Sequence, residues 1–198
     1  MTEHRAAAHS DYENYQRKDE LRHALSREQC GLCCYCMGRI GAVAQSMKIE
    51  HWQSQTRYPH EQLSYRNLLG ACLGGQGQPA SKQYCDTRKG DLDIRWNPAE
   101  PQHQIESRIR YDPDGTIRSD DPGFDQELND VLNLNLPWLK NNRKSVLSAI
   151  LDWWRQTRPI PPERIEREIQ QRSGAGGNRN LQPYCQVAVY WLREKLAR

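Results

Sequence analysis

Residues 29–36 read QCGLCCYC, and this stretch decides what kind of fold the chain can have. It holds cysteines 30, 33, 34 and 36 of the seven in the chain, and the others follow at 72, 85 and 185. Two overlapping C-x-x-C pairs are available, Cys30 with Cys33 and Cys33 with Cys36, a spacing that lets two thiolates share one tetrahedral zinc. The opening segment, MTEHRAAAHSDYENYQRKDE, lacks the apolar run of a secretory leader. Cysteines in that context point to metal binding or redox chemistry rather than to a disulfide framework. No βαβ pattern surrounds the cluster, which disfavours a thioredoxin-like redox pair.

Upstream, the segment from Asp11 to Gln29 spaces Tyr12, Tyr15, Leu21 and Leu25 as a helix would, which predicts a surface brace leading into the cysteines. Downstream, residues 39–52, RIGAVAQSMKIEHW, carry two short β-prone runs and predict a small hairpin or a strand ending at Glu50-His51. YRNLLGAC (65–72) predicts a helical turn, LGGQGQPASKQY (73–84) a glycine-rich loop, and CDTRKGD (85–91) a short helix. IESRIRYDPDGTIRSD (105–120) alternates around a Pro-Asp-Gly turn and reads as a hairpin extending the small sheet. After Pro137, residues Leu139, Val146, Leu147, Ile150, Leu151 and Trp154 recur with a period near 3.6 and mark an amphipathic helix. Pro161 and Pro162 open another helix, closed by Gly174, and the last helix runs from about Pro183 to Leu196. The organisation is a helical brace over 1–29, a core over 30–96, and a hairpin with a helical region over 97–198. The fold class is α+β.

With 198 residues there is room for one domain with appendages. Hydrophobic residues make up 36% and charged residues 27%, a globular balance. No apolar run reaches the roughly 20 residues of a membrane span, so a soluble, cytoplasmic protein is expected. The net charge of +3 is too small to announce nucleic acid, yet it is unevenly spread, at +3 over 1–90, −7 over 91–130 and +7 over 131–198. A basic C-terminal third rich in arginine suits either phosphates or a solvated helical face.

Chemistry concentrates between 50 and 89. Glu50 directly before His51 brings a metal carboxylate and a general base together. Cys85-Asp86-x-x-Lys89 sets a second carboxylate beside a thiolate. In order, C-x-x-C, Glu-His, Asn-Leu-Leu and Cys…Cys-Asp-x-x-Lys resemble the HNH endonuclease family, whose ββα-metal unit is often stapled by four cysteines. The resemblance implies that Glu50 and Asp86 ligate a catalytic Mg²⁺ or Mn²⁺. It implies that His51 activates water for attack on a phosphodiester, with its Nδ1 held by a carbonyl or a side chain. It further implies that Asn67 orients the site across its loop and that Lys89 neutralises phosphate. Asp86 stands where many members have His or Asn, and a carboxylate is competent there. Structural Zn²⁺ falls to Cys33, Cys36, Cys72 and Cys85, with Cys30 and Cys34 competing for the first pair. Members usually keep the last two cysteines close, whereas here twelve residues intervene, so the glycine-rich loop must fold back.

GLCCYCMGRI, MKIEHWQSQTRYP, LSYRNLLGAC, YCDTRKGD, IRYDPDGTI and VLNLNLPWLKNNR together are similar to the PtuB-like nucleases of Septu and retron-associated anti-phage systems. That implies an effector nuclease acting on nucleic acid, DNA by default and RNA as an alternative, with an ABC or SMC-like (PtuA-like) ATPase as partner. A non-catalytic zinc-knuckle scaffold that binds such a partner is the rival reading. Arg57, Arg66 and Arg88 are candidate phosphate contacts. His60 and His103 read as solvent-facing, Cys185 as core, and most tryptophans as core filler, with one of Trp153 and Trp154 left for a partner.

Overall fold

The computed structural model describes residues 11–175, 177 and 181–197. Helix α1 (Lys18–Glu28) is shorter than its sequence pattern. Residues before Lys18 close a turn instead, with Asn14 N–H donating to Asp11 Oδ1 at 2.9 Å and Tyr15 N–H to the Tyr12 carbonyl at 3.2 Å. Asp side chains that bond the backbone this way compete with helix. Leu21 and Leu25 bury the inner stripe of α1.

Strand β1 (Lys48–His51) ends at the Glu-His pair and runs antiparallel to β2 (Leu68–Ala71), with Glu50 opposite Leu69 and His51 opposite Leu68. The helical turn expected of YRNLLGAC is a single 3₁₀ turn, Tyr65–Asn67, after which the segment extends. Packing overrides the local preference, because every residue of β2 is buried. At Gly70 a Cβ would lie 2.6 Å from Met47 Cε, so a larger residue there would have to displace that side chain. Helix α2 (Cys85–Lys89) follows, so that a hairpin and a short helix occupy the middle of the sequence.

The short helix α3 (Ile105–Arg108) leads into β3 (Ile109–Tyr111), which pairs with β4 (Ile117–Ser119). These strands form a sheet of their own rather than extending the first. The sequence reading missed helix α4 (Pro122–Gln126) and the π-turn that continues it to Val131. Asp121 caps α4 by accepting from Gly123 and Phe124 N–H, with Pro122 next, a start motif that was there to be seen. Helices α5 (Pro137–Thr157), α6 (Pro162–Ser173) and α7 (Cys185–Leu196) complete the fold.

One core runs from Leu21 to Leu139, joining α1, the cysteine turn, both sheets and the start of α5. A smaller one, Ile150, Ile165, Ala188 and Leu192, holds α5, α6 and α7 together. Trp153 and Trp154 both pack, partly buried, against the second core, whereas Trp138 is exposed. Cys185 is buried beside Leu32 and Leu181, as a core residue should be. Among the described residues no helix is long and apolar enough to cross a membrane. The start of the 1–29 brace, and the stretch between Gly174 and the last helix, fall partly outside the described residues.

Candidate metal centre and carboxylate site

Cys33 and Cys36 sit on a tight turn closed by Cys33 N–H to the Gly38 carbonyl at 2.8 Å and Met37 N–H to the Cys33 carbonyl at 3.1 Å. Cys72 leaves β2 and Cys85 opens α2. Their four sulfurs lie within 4.8 Å of one another, Cys33 to Cys85 at 3.9 Å and Cys36 to Cys72 at 3.8 Å. Tetrahedral zinc with bonds of about 2.3 Å sets its sulfurs about 3.8 Å apart, so the donor set fits that ion. Backbone amides already point at the sulfurs, Cys72 N–H to Cys33 Sγ at 3.3 Å and Gly38 N–H to Cys36 Sγ at 3.4 Å. Cys30 and Cys34 stay outside the group, which settles the first pair as Cys33 and Cys36.

The twelve-residue excursion between Cys72 and Cys85 returns through Gly74, at φ +57, where a Cβ would lie 2.2 Å from the Tyr84 carbonyl oxygen. Tyr84 N–H donates to the Gly74 carbonyl at 3.0 Å and closes the loop. Only glycine tolerates both that φ and that approach.

Beside the cysteines, Glu50 and Asp86 meet. They lie close enough for each carboxyl group to shift the titration of the other. Burial, then the Asp86 contact, pushes Glu50 well above the usual carboxylate range. Burial would raise Asp86 too, but Glu50 and the Lys48 ammonium bring it below its ordinary value. Two neighbouring carboxyl groups present oxygens that a divalent cation could take. Among the described residues only the cysteines gather three or more metal-ligating groups, so Glu50 and Asp86 alone would hold such an ion, with water and substrate completing its shell.

The lysines were not foreseen in these roles. Lys89, expected to meet phosphate, is 1% exposed and points inward. Its ammonium lies 2.9 Å from Glu50 Oε1 and donates to the His51 carbonyl at 3.0 Å, so it neutralises a buried carboxylate instead. Tyr35 Oη donates to the same Glu50 oxygen at 2.7 Å. Lys48, two residues before Glu50, lies 2.9 Å from Asp86 Oδ2. Alternation along the strand is the sequence pattern that could have found it. Breaking a buried pair strands its partner. Lys89→Met is therefore expected to lower unfolding free energy by about 3 kcal/mol at neutral pH, measured by urea denaturation, while a change under about 0.5 kcal/mol would show the pair to be dispensable.

His51 is 5% exposed. Its Nε2 lies 3.0 Å from the Gln62 carbonyl, so the nitrogen held by backbone is Nε2 rather than the expected Nδ1. Donation from Nε2 leaves the lone pair on Nδ1. Burial, outweighing the Gln62 bond, lowers the imidazole pKa and keeps the ring neutral, as a base requires. Tyr12 stands edge-on to it, with centroids 4.5 Å apart, and Tyr12 N–H reaches Gln62 Oε1 at 3.0 Å.

Asn67 hydrogen-bonds across its loop. Its Nδ2 donates to the carbonyls of Gln53 (2.9 Å) and Glu61 (3.1 Å), and its Oδ1 accepts from Gln53 N–H at 2.7 Å. These bonds tie together the connection from β1 to β2. The arginines are less available than expected: Arg57 pairs with Asp93, and Arg88 donates to the carbonyls of Ala80 and Asp130. Arg66 is exposed and has no ion pair among the described residues. His60 is exposed, but His103 is not: it packs between Trp52 and Trp96 and accepts from Asn97 N–H. A cavity of about 1260 Å³ is lined by residues such as Leu69, Trp96 and Tyr190, and by none of Glu50, His51, Asp86 or Lys89.

No protein-family model matches the chain, and no curated protein matches it significantly. What the geometry defines is a mixed α+β protein with two small antiparallel sheets and a buried four-cysteine cluster able to bind zinc.

Proposed function

We propose that the protein is a metal-dependent endonuclease of the HNH type, with β1, β2 and α2 as its ββα-metal unit. The observation that carries this reading is the meeting of Glu50 from β1 with Asp86 from α2, next to a neutral His51 and beside the four cysteines. Phosphodiester hydrolysis needs a positioned water, a base of near-neutral pKa and a cation at the developing charge. Magnesium or manganese on Glu50 and Asp86 would supply the cation. His51 would take the proton of the water, and Asn67 would keep the loop carrying the Gln62 carbonyl in place.

DNA is taken as the default substrate and RNA as the alternative, since the phosphodiester chemistry is the same for both. The sequence segments that resemble Septu and retron-associated nucleases support a role as effector in anti-phage defence, in the cytoplasm, with an ABC or SMC-like ATPase supplying part of the grip. One observation favours a non-catalytic scaffold instead: Glu50 Oε1 already receives both Tyr35 and Lys89.

The deciding experiment compares wild type and Glu50→Gln on plasmid, single-stranded DNA and tRNA, with Mg²⁺ or Mn²⁺, with and without any ATPase encoded beside the gene. Metal-dependent cutting by wild type, reduced at least about a hundredfold in Glu50→Gln, is the expected result. Equal cutting by both, or none under any condition while zinc is retained, makes the scaffold the better reading.

A further inference from the structure

The carboxylate site already holds two cations. Glu50 faces the ammonium of Lys89 at 2.9 Å and Asp86 faces that of Lys48 at 2.9 Å, so each carboxyl group has a cationic partner in place. A dication added to this set is repelled by both ammonium groups. The two lysines are not equally fixed. Lys89 is fully buried and also holds the His51 carbonyl, and withdrawing it would strand Glu50. Lys48 is 29% exposed and holds only Asp86 and the Thr87 hydroxyl, the latter at 2.8 Å. That hydroxyl donates to the Leu73 carbonyl, which leaves its lone pairs for Lys48. A flexible four-carbon stem with three rotatable donors lets such a head exchange one anionic oxygen for another.

We propose that the paired lysines occupy this site's carboxyl oxygens, so that it takes a divalent cation together with a phosphate rather than before it, and that Lys48 is the positioning residue that exchanges Asp86 for the phosphate. The inference rests on the reading of Glu50 and Asp86 as metal ligands and goes beyond it, by making metal and substrate binding cooperative. The incoming phosphate brings further negative charge and gives Lys48 an oxygen to hold. The freed Asp86 oxygen goes to the metal. By linkage, phosphate raises metal affinity by the factor that metal raises phosphate affinity. A metal-poor resting state would keep the site silent until nucleic acid arrives.

The test uses the full zinc-loaded chain carrying His51→Ala, so that nothing is cut, and reads free Mn²⁺ by electron paramagnetic resonance. Titrations are made alone, with inorganic phosphate, and with a short oligonucleotide as DNA or RNA. Manganese affinity is expected to rise at least about tenfold with the oligonucleotide. Adding Lys48→Met is expected to tighten manganese binding about tenfold in the absence of phosphate and to shrink the coupling. Lys48→Arg, which keeps the charge, retains the weak metal-alone affinity, and melting temperature with zinc content separates these effects from misfolding. Manganese binding that is lost in Glu50→Gln but indifferent to both oligonucleotide and Lys48→Met overturns the inference and leaves the metal site standing. Binding indifferent to Glu50→Gln removes the site and the inference together.

Discussion

Replacing Cys85 by serine, or stripping zinc with a chelator, is expected to abolish the cooperative fold of the first two thirds of the chain. Cys85 is fully buried, and with Cys33, Cys36 and Cys72 it ties three segments whose own secondary structure is slight. The strands β1 and β2 are four residues each, and α2 is five, too short to persist unaided. A structural zinc contributes about 10–16 kcal/mol of apparent binding energy, comparable to the whole stability of a domain, roughly 5–15 kcal/mol. The second core, around Ile150 and Leu192, contains none of the four cysteines, so helical signal from α5, α6 and α7 should survive in part. The measurement is circular dichroism and urea unfolding beside zinc content, with Cys30→Ser and Cys34→Ser as controls that keep one zinc per chain. A Cys85→Ser protein that unfolds cooperatively at the wild-type midpoint would remove zinc from the account of this fold.

The contrast between what the sequence made legible and what it hid follows from how local each feature is. Cysteine spacing is chemistry written along the chain, and the four sulfurs that meet are those singled out by order and pairing. Glu50 and His51 at a strand end, a loop tied by Asn67 and a helix opening at Cys85 were legible for the same reason. Lys89 was not, because whether a lysine four residues into a motif faces solvent or a buried carboxylate depends on Glu50, which is far away in sequence. Tyr35 acts on the site through packing of the cysteine turn, which no spacing announces, and alternation along β1 puts Lys48 on the face of Glu50 without saying that Asp86 meets it there. Tyr12 reaches His51 because an Asp11 turn displaced the first turns of the expected helix. The ring nitrogen bonded to Gln62 is set by the path of a sixteen-residue connection, 52–67, which composition leaves undetermined.

On the nuclease reading, His51→Ala is expected to lower kcat by about 10²–10⁴-fold, with zinc content unchanged and KM moved little. The size follows from the role: with Nε2 donated to the Gln62 carbonyl, Nδ1 carries the lone pair that would take the proton of the attacking water. The ring is neutral because burial lowers its pKa, so loss of a positive charge is not what the variant would report. Truncation also leaves the Gln62 carbonyl without this donor, which costs about 1–3 kcal/mol if water cannot replace it. His51→Gln is therefore measured alongside, since its amide can still donate there while offering no base. Both variants should be equally inactive and differ only in stability. If His51→Gln cuts at the wild-type rate while Glu50→Gln does not, the metal site is real and the base is another group. If the two histidine variants differ in activity as they differ in stability, the residue holds the loop rather than moving a proton.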